Sequence, residues 1–267
     1  MALCAGLADD VPGAARYRQE GAALRSRLFP AFWNEQKQAL VHSRVAGVQS
    51  DKVTRYANMF GIFFGYFNKE QEAAVGQHVL LNDSVQKITT PYMRFYELEA
   101  LCAMGGQTHV LKEIKDYWGG MLSLGATSFW EKYDPSEKGV QHYAMYGRPF
   151  GRSLCHAWGA SPLYLLGKYY LGVRPLAPGY ASYAVEPVLG GLQWMQGAVP
   201  TPHGNIQVYC SRTRIRVRAV AGAGVLRFRS KTLPVCKEGI VRKAADGRYE
   251  IDLEKDREYT VEYREAD

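Results

Sequence analysis

The residues best suited to chemistry gather in one stretch. Glu131 follows Trp130 in Gly125-Ala126-Thr127-Ser128-Phe129-Trp130-Glu131-Lys132-Tyr133-Asp134, a segment rich in glycine and hydroxyls. A carboxylate can take and return a proton, and an indole beside it offers the apolar wall that a sugar site uses. As a bare dipeptide, the pair reads as a surface glutamate next to a packed tryptophan. His156 follows in Ser153-Leu154-Cys155-His156-Ala157-Trp158. A lone histidine early in an apolar helix is more often a satisfied core residue than a ligand. Trp118, Trp158 and Tyr92 are candidates for a cleft wall, because flat rings stack on the apolar faces of pyranoses. Their helical positions suit core packing better. Arg94 and Glu97 stand three apart and read as a surface ion pair on one helix face.

Two kinds of element must position these groups. Residues from about 14 to 172 carry helical periodicity, and those from about 183 to 264 carry the alternation of short strands. The spacing predicts helices over 15–28, 32–43, 70–81, 92–104, 107–121 and 153–171, the last kinked at Pro162. A further helix is predicted to start near Ser50-Asp51, with Val53, Tyr56, Ala57, Phe60, Phe63, Phe64 and Phe67 as its apolar positions. Strands are predicted over 183–188, 206–210, 214–219, 225–230, 240–243, 249–252 and 259–263. Ala221-Gly222-Ala223-Gly224 and Asp246-Gly247 read as hairpin turns. The boundary falls near Pro175, Pro178 and Gly179. The fold class is therefore α + β and multidomain, with antiparallel helices over 1–178 and a small antiparallel β-sandwich over 179–267.

Composition narrows the partners. Of 267 residues, 47% are hydrophobic, with 18 Tyr, 10 Phe and 5 Trp, enough for a sizeable core. The net charge of +7 invites a nucleic-acid reading. However, Arg214, Arg216 and Arg218 alternate with Ile215 and Val217, and Arg227 and Arg229 flank Phe228. That is the pattern of a strand with one wet and one buried face, so no nucleic-acid partner is expected. No run of 18 apolar residues spans a membrane. The N-terminus, MALCAGLADDVPG, lacks the basic start and long apolar centre of a signal peptide. Five cysteines without a CxxC pair read as buried thiols, with no disulfide framework and no metal or other cofactor.

Four blocks carry a resemblance. Gly125 to Glu131 resembles the glycine-alanine-threonine-threonine-x-tryptophan-glutamate motif of bacterial α-L-rhamnosidases, and Ser153-x-x-His156-Ala157 resembles a second motif of that family. Leu171 to Pro175, with Pro178-Gly179-Tyr180 and Val185-Glu186-Pro187, is similar to the family's crossover from barrel to sandwich. Gly197 to Ile206 is similar to its entry into the sandwich. The blocks stand in family order. The resemblance implies an (α/α)6 six-hairpin barrel followed by a β-sandwich, and inverting hydrolysis of terminal α-L-rhamnosides. Inversion uses two carboxyl groups ~6.5–9.5 Å apart, one protonating the leaving oxygen and one activating water. By the motif match, Glu131 is the general base and His156 binds sugar hydroxyls, with Trp130, Trp158, Tyr92 and Trp118 as further substrate contacts. The chain has fewer helices than the twelve of such a barrel. Nothing before Glu131 matches the family's general-acid motif; Glu35, in Phe32-Trp33-Asn34-Glu35, is an upstream carboxylate in an aromatic setting but is no substitute for it. The expectation is a truncated, inactive C-terminal part of such an enzyme. Two other classes remain open: a non-catalytic carbohydrate-binding or structural remnant, and another six-hairpin enzyme, trehalase-like or a glycoside phosphorylase.

Overall fold

The computed structural model describes residues 1–266. The chain divides into two compact units. One comprises Met1–Thr89 with Glu99–Met104, and the other comprises Thr90–Leu98 with the chain from Gly105 onward.

In the first unit, α1 (Ala2–Leu7) precedes α2 (Val11–Phe32), whose N-cap Asp10 accepts from Gly13 N at 2.9 Å. Helix α2 runs through Pro30 in its last turn, where the proline removes the amide that would bond back one turn earlier, and the helix ends two residues later at Phe32. The predicted helix over 32–43 is replaced by a hairpin of β1 (Trp33–Asn34) and β2 (Ala39–Leu40). Two side chains decide this. Asn34 Oδ1 accepts from Lys37 N at 3.0 Å and closes the turn. The buried Asn58 amide bonds both backbone groups of Leu40, each at 2.9 Å, as a neighbouring strand would. Glu35 lies exposed in that turn. A second hairpin joins β3 (Arg44–Val45) to β4 (Val48–Gln49). Val53 bridges to Val41, so α3 starts only at Arg55 and ends at Phe63, leaving Phe64 and Phe67 outside it. Helix α4 (Lys69–Val75), with a capping box on Asn68, continues into a π-turn over Gly76–Leu80.

Helix α5 (Pro91–Ala103) contributes to both units. In the second, α6 (Gln107–Ser123) buries Val110, Leu111, Tyr117, Trp118 and Met121, one stripe at helical spacing. Arg94 and Glu97 are 4% and 1% exposed, so they are buried and not a surface pair as expected. Arg94 pairs with Glu113 of α6 and lies over the Tyr117 ring at 4.7 Å. The predicted helix over 153–171 is also shortened. Extended backbone leads to a 3-10 turn over Ala157–Gly159, then α7 (Ser161–Leu165) and a π-turn over Leu166–Tyr170. Pro162 sits in the first turn of α7, where proline is at home, and kinks nothing.

Two five-stranded sheets follow. The strands are β5 (Val173–Pro175), β6 (Ser182–Val185), β7 (Trp194–Thr201), β8 (Gly204–Ser211), β9 (Arg214–Arg218), β10 (Ala223–Phe228), β11 (Val235–Cys236), β12 (Arg242–Lys243), β13 (Tyr249–Leu253) and β14 (Glu258–Glu262). One sheet runs β12-β13-β10-β6-β5 and the other β11-β14-β9-β8-β7. All pairings are antiparallel except β6 with β10, a correction to the all-antiparallel expectation. Ala221–Gly224 is no hairpin either: it carries the chain from β9 in one sheet to β10 in the other. The Asp246-Gly247 turn does join paired strands, β12 and β13. The register of β9 is as predicted, with Ile215 and Val217 1% and 0% exposed and the three arginines outward. Glu258 and Glu262 of β14 stand directly opposite Arg218 and Arg214, pairing charge across the strands. Tyr183 and Tyr259, each at most 1% exposed, anchor the core; burying side chains of this kind contributes roughly 1.5–3 kcal/mol apiece.

No helix among the described residues is long and apolar enough to cross a membrane. The cysteines divide, with Cys102 and Cys210 buried but Cys4 and Cys155 exposed, so the buried-thiol expectation holds for only some. Burial pushes the Cys210 thiol up to about 11.

Candidate functional site

Two backbone segments of the second unit lie side by side, 129–131 and 153–156. His156 N donates to Phe129 O at 2.7 Å, and Glu131 N donates to Ser153 O at 2.9 Å. Consecutive residues of such a segment leave on opposite sides. Trp130 goes inward, 3% exposed, edge-on to Tyr143 at 5.7 Å. Glu131 consequently faces outward, half-buried. Its carboxylate is gripped at both oxygens: Oε2 accepts from Ser153 N and Oε1 from the Tyr146 hydroxyl, each at 3.1 Å.

The residues between these segments form a loop with its own interior. Arg152 is its pin, with a side chain 1% exposed. Its Nη1 donates to His142 O at 2.5 Å and to Glu137 Oε2 at 2.9 Å. Its Nη2 donates to Glu137 Oε1 and to Ala144 O, both at 3.1 Å. Lys132 Nζ adds a bond to Glu137 Oε1 at 2.6 Å. Partial burial works against the Glu137 charge, but the hydrogen bonds from Arg152 and Lys132 prevail and hold its carboxyl below the usual glutamate range. Tyr133 and His142 stack at 6.0 Å beneath the loop, and Tyr133 N donates to the Tyr117 hydroxyl at 3.2 Å. At the tip, Met145 and Arg148 exchange backbone hydrogen bonds of 2.9 and 3.0 Å around Tyr146 and Gly147. Both central residues have positive φ, 53° and 74°, as a type I′ turn requires.

His156 is not in a helix. Its backbone is extended, φ −127° and ψ 105°, and its ring meets Trp158 edge-on at 5.3 Å. Trp158 is 63% exposed and lies against Tyr92 with centroids 4.8 Å apart and planes 34° apart. These three rings form an open aromatic surface. Trp118 is 6% exposed and donates its indole N–H to Gly159 O at 2.8 Å, holding the turn that carries Trp158. Trp118 and Trp130 are packing residues, which corrects their expected exposure to substrate. A carboxylate acting as base on a sugar is expected to face a concave aromatic pocket, and two grooves of the second unit do not supply it. One, about 870 Å³, is lined by Tyr164, Lys168, Tyr180 and Val199 among others. Another, about 580 Å³, lies among Glu186, Arg227, Arg248 and Tyr263. Neither includes Glu131 or His156.

Sequence reasoning missed Tyr146, Arg152 and Glu137. The Tyr146-Gly147 pair is a weak turn signal, and an arginine between Gly151 and Ser153 gives no sign of burial.

Residues 172–219 match the family model described as the bacterial alpha-L-rhamnosidase C-terminal domain. No curated protein matches the chain by sequence. Among solved structures, the GH78 family rhamnosidase of Bacillus sp. GL1 is 29% identical with a TM-score of 0.67, covering 81% of this chain and 22% of its own. The alpha-L-rhamnosidase from Dictyoglumus thermophilum is 17% identical with a TM-score of 0.75, covering 99% and 30%. That of Streptomyces avermitilis, solved with L-rhamnose, is 13% identical with a TM-score of 0.60, covering 94% and 24%. The last two likenesses concern fold alone. The chain thus spans between 22% and 30% of the length of these structures. Residues 172–219 are thus similar to the bacterial alpha-L-rhamnosidase C-terminal domain, and the chain that carries them resembles solved α-L-rhamnosidase structures over most of its length.

Proposed function

We propose that this chain is the C-terminal portion of an α-L-rhamnosidase-like glycoside hydrolase that cleaves terminal α-L-rhamnosides with inversion. Residues 1–178 are read as part of its (α/α)6 barrel and 179–267 as its β-sandwich. Glu131 is the general base. The observation that carries this reading is the Glu131 carboxylate itself: it faces outward from a motif-bearing segment, with one donor on each oxygen. Each oxygen keeps a lone pair for a water molecule. As that water attacks the anomeric carbon, its proton passes to Glu131. A general acid outside residues 1–267 protonates the departing oxygen. His156 and the Trp158–Tyr92 surface bind the sugar, while Trp130 and Trp118 hold the segments beneath.

The test is turnover of an aryl α-L-rhamnoside by the protein that contains this chain. Glu131→Gln keeps size and removes the base, and kcat should fall at least about 10²-fold. Wild-type kcat in a folded variant removes Glu131 from the mechanism. Phosphate-dependent cleavage would reassign the protein to the glycoside phosphorylases. The exposed Trp158–Tyr92 pair supports a second reading, a carbohydrate-binding module. Saturable L-rhamnose binding with no turnover, even in the presence of the rest of the enzyme, would favour it.

A further inference from the structure

We propose that Tyr146 is a positioning residue, whose phenol fixes the plane of the Glu131 carboxylate by holding Oε1 while Ser153 N holds Oε2. This rests on the reading of Glu131 as general base.

Three observations converge. First, the hydroxyl's hydrogen bond goes to Glu131, at 3.1 Å, across fifteen positions of chain. Second, neither packing nor turn chemistry accounts for a tyrosine here. Its side chain is 76% exposed, and its φ of 53° is one that asparagine or glycine fills with less strain. A bulky residue in that conformation points to a role for the side chain. Third, the turn is not free to wander. Arg152, buried beneath, bonds the carbonyls of His142 and Ala144 on the segment leading into it. Glu137, Lys132 and Arg152 are paired with one another, so Glu131 is the charge that acts on the phenol. Its hydrogen bond raises the Tyr146 phenol above its ordinary value.

A glutamate has three rotatable bonds. A single donor on Oε2 would leave the carboxylate free to swing about that contact; a second, on the other oxygen, removes the freedom. Since misplacing a reacting group by about 1 Å costs up to roughly 10²-fold in rate, loss of the phenol is expected in kcat more than in KM.

Two variants separate positioning from structure. In the protein containing this chain, Tyr146→Phe should lower kcat ~10–100-fold with little change in KM. It should also move the acid limb of the pH–rate profile to higher pH, because a donor to the charged base is gone. Tyr146→Asn suits the turn better, so it should keep or raise the melting temperature while losing kcat to a similar extent. In the 267-residue chain alone, carbon-13 labelling of the tyrosine ring reads the contact directly. The Tyr146 signal should titrate above the ordinary phenol range and return to it in Glu131→Gln. An ordinary Tyr146 titration in the wild type overturns the proposal. So does a Tyr146→Phe enzyme with unchanged kcat and pH profile while Glu131→Gln has lost activity; the base assignment then stands alone. Full activity in Glu131→Gln removes the base assignment, and the positioning role with it.

Discussion

Glu131 is turned outward by its neighbour. Trp130 brings a large apolar surface that must leave water, and burying it sends the next side chain to the opposite side of the segment. The indole is thus a determinant of where the carboxylate stands, although it contacts no solvent-facing ligand site. Trp130→Ala should cost about 3–5 kcal/mol of stability, measured by denaturant unfolding. Trp130→Phe should cost less and retain activity in the intact enzyme. A Trp130→Ala variant as stable as the wild type would show that the ring is not what packs this segment. The motif was legible in the sequence, but this orientation was not. Hydropathy assigns tryptophan to a wall or a core with equal ease, and only the pairing of 129–131 with 153–156 decides. Tyr146 was illegible for a related reason: its partner is set by a turn whose backbone conformation suits a different residue.

At the level of elements, strict alternation was the most reliable signal. Ile215 and Val217 point inward because one register alone keeps both out of water. Ile215→Ala should cost about 2–5 kcal/mol. Arg216→Ala, which loses only a stack over Tyr209 at 4.8 Å, should cost about 1 kcal/mol or less. Equal unfolding free energies for the two variants would refute the register. Strand β7 was missed although it is eight residues long. Gln196, Gly197 and Pro200 break its pattern, yet it lies at the edge of its sheet, where a missing amide is tolerated. The 32–43 error has the opposite cause. Helical spacing was present there, and the Asn58 amide, distant in sequence, overrode it.

For the molecule as a whole, two carboxylates of the 131–153 loop make stability sensitive to acid, Glu137 held by Arg152 and Lys132 and Asp134 by hydrogen bonds from Ser136. Glu137 and Asp134 both have folded-state values below the ordinary 4.5 and 3.8. Their contribution is therefore fully present at neutral pH. It is lost as pH falls below about 4.5 and on through the depressed folded values. Unfolding free energy should fall steeply from pH 5 to pH 3 in the wild type and less steeply in Glu137→Gln. Parallel slopes would show that Glu137 does not govern the acid response. The change from helices to strands near residue 180 was readable from the periodicity, whereas the division into two compact units, around Thr89 and Gly105, was not. The exchange of strands between sheets was not readable either, since strand pairing across the sandwich leaves no local trace.

That exchange sets a timetable for the growing chain. Strand β6 is complete at Val185, but its parallel partner β10 begins only at Ala223, after β7, β8 and β9 have been made for the other sheet. At about 5–20 residues per second, the wait is roughly 2–8 s. During that interval β6 has only the three-residue β5 on one flank, and the apolar Tyr183, Ala184 and Val185 have no partner on the other. A ribosome-bound chain is thus open to wrong pairing over one short, definable stretch of synthesis. The speed of translation between codons 186 and 222 should bear on the yield of soluble protein more than the speed through any helix before it.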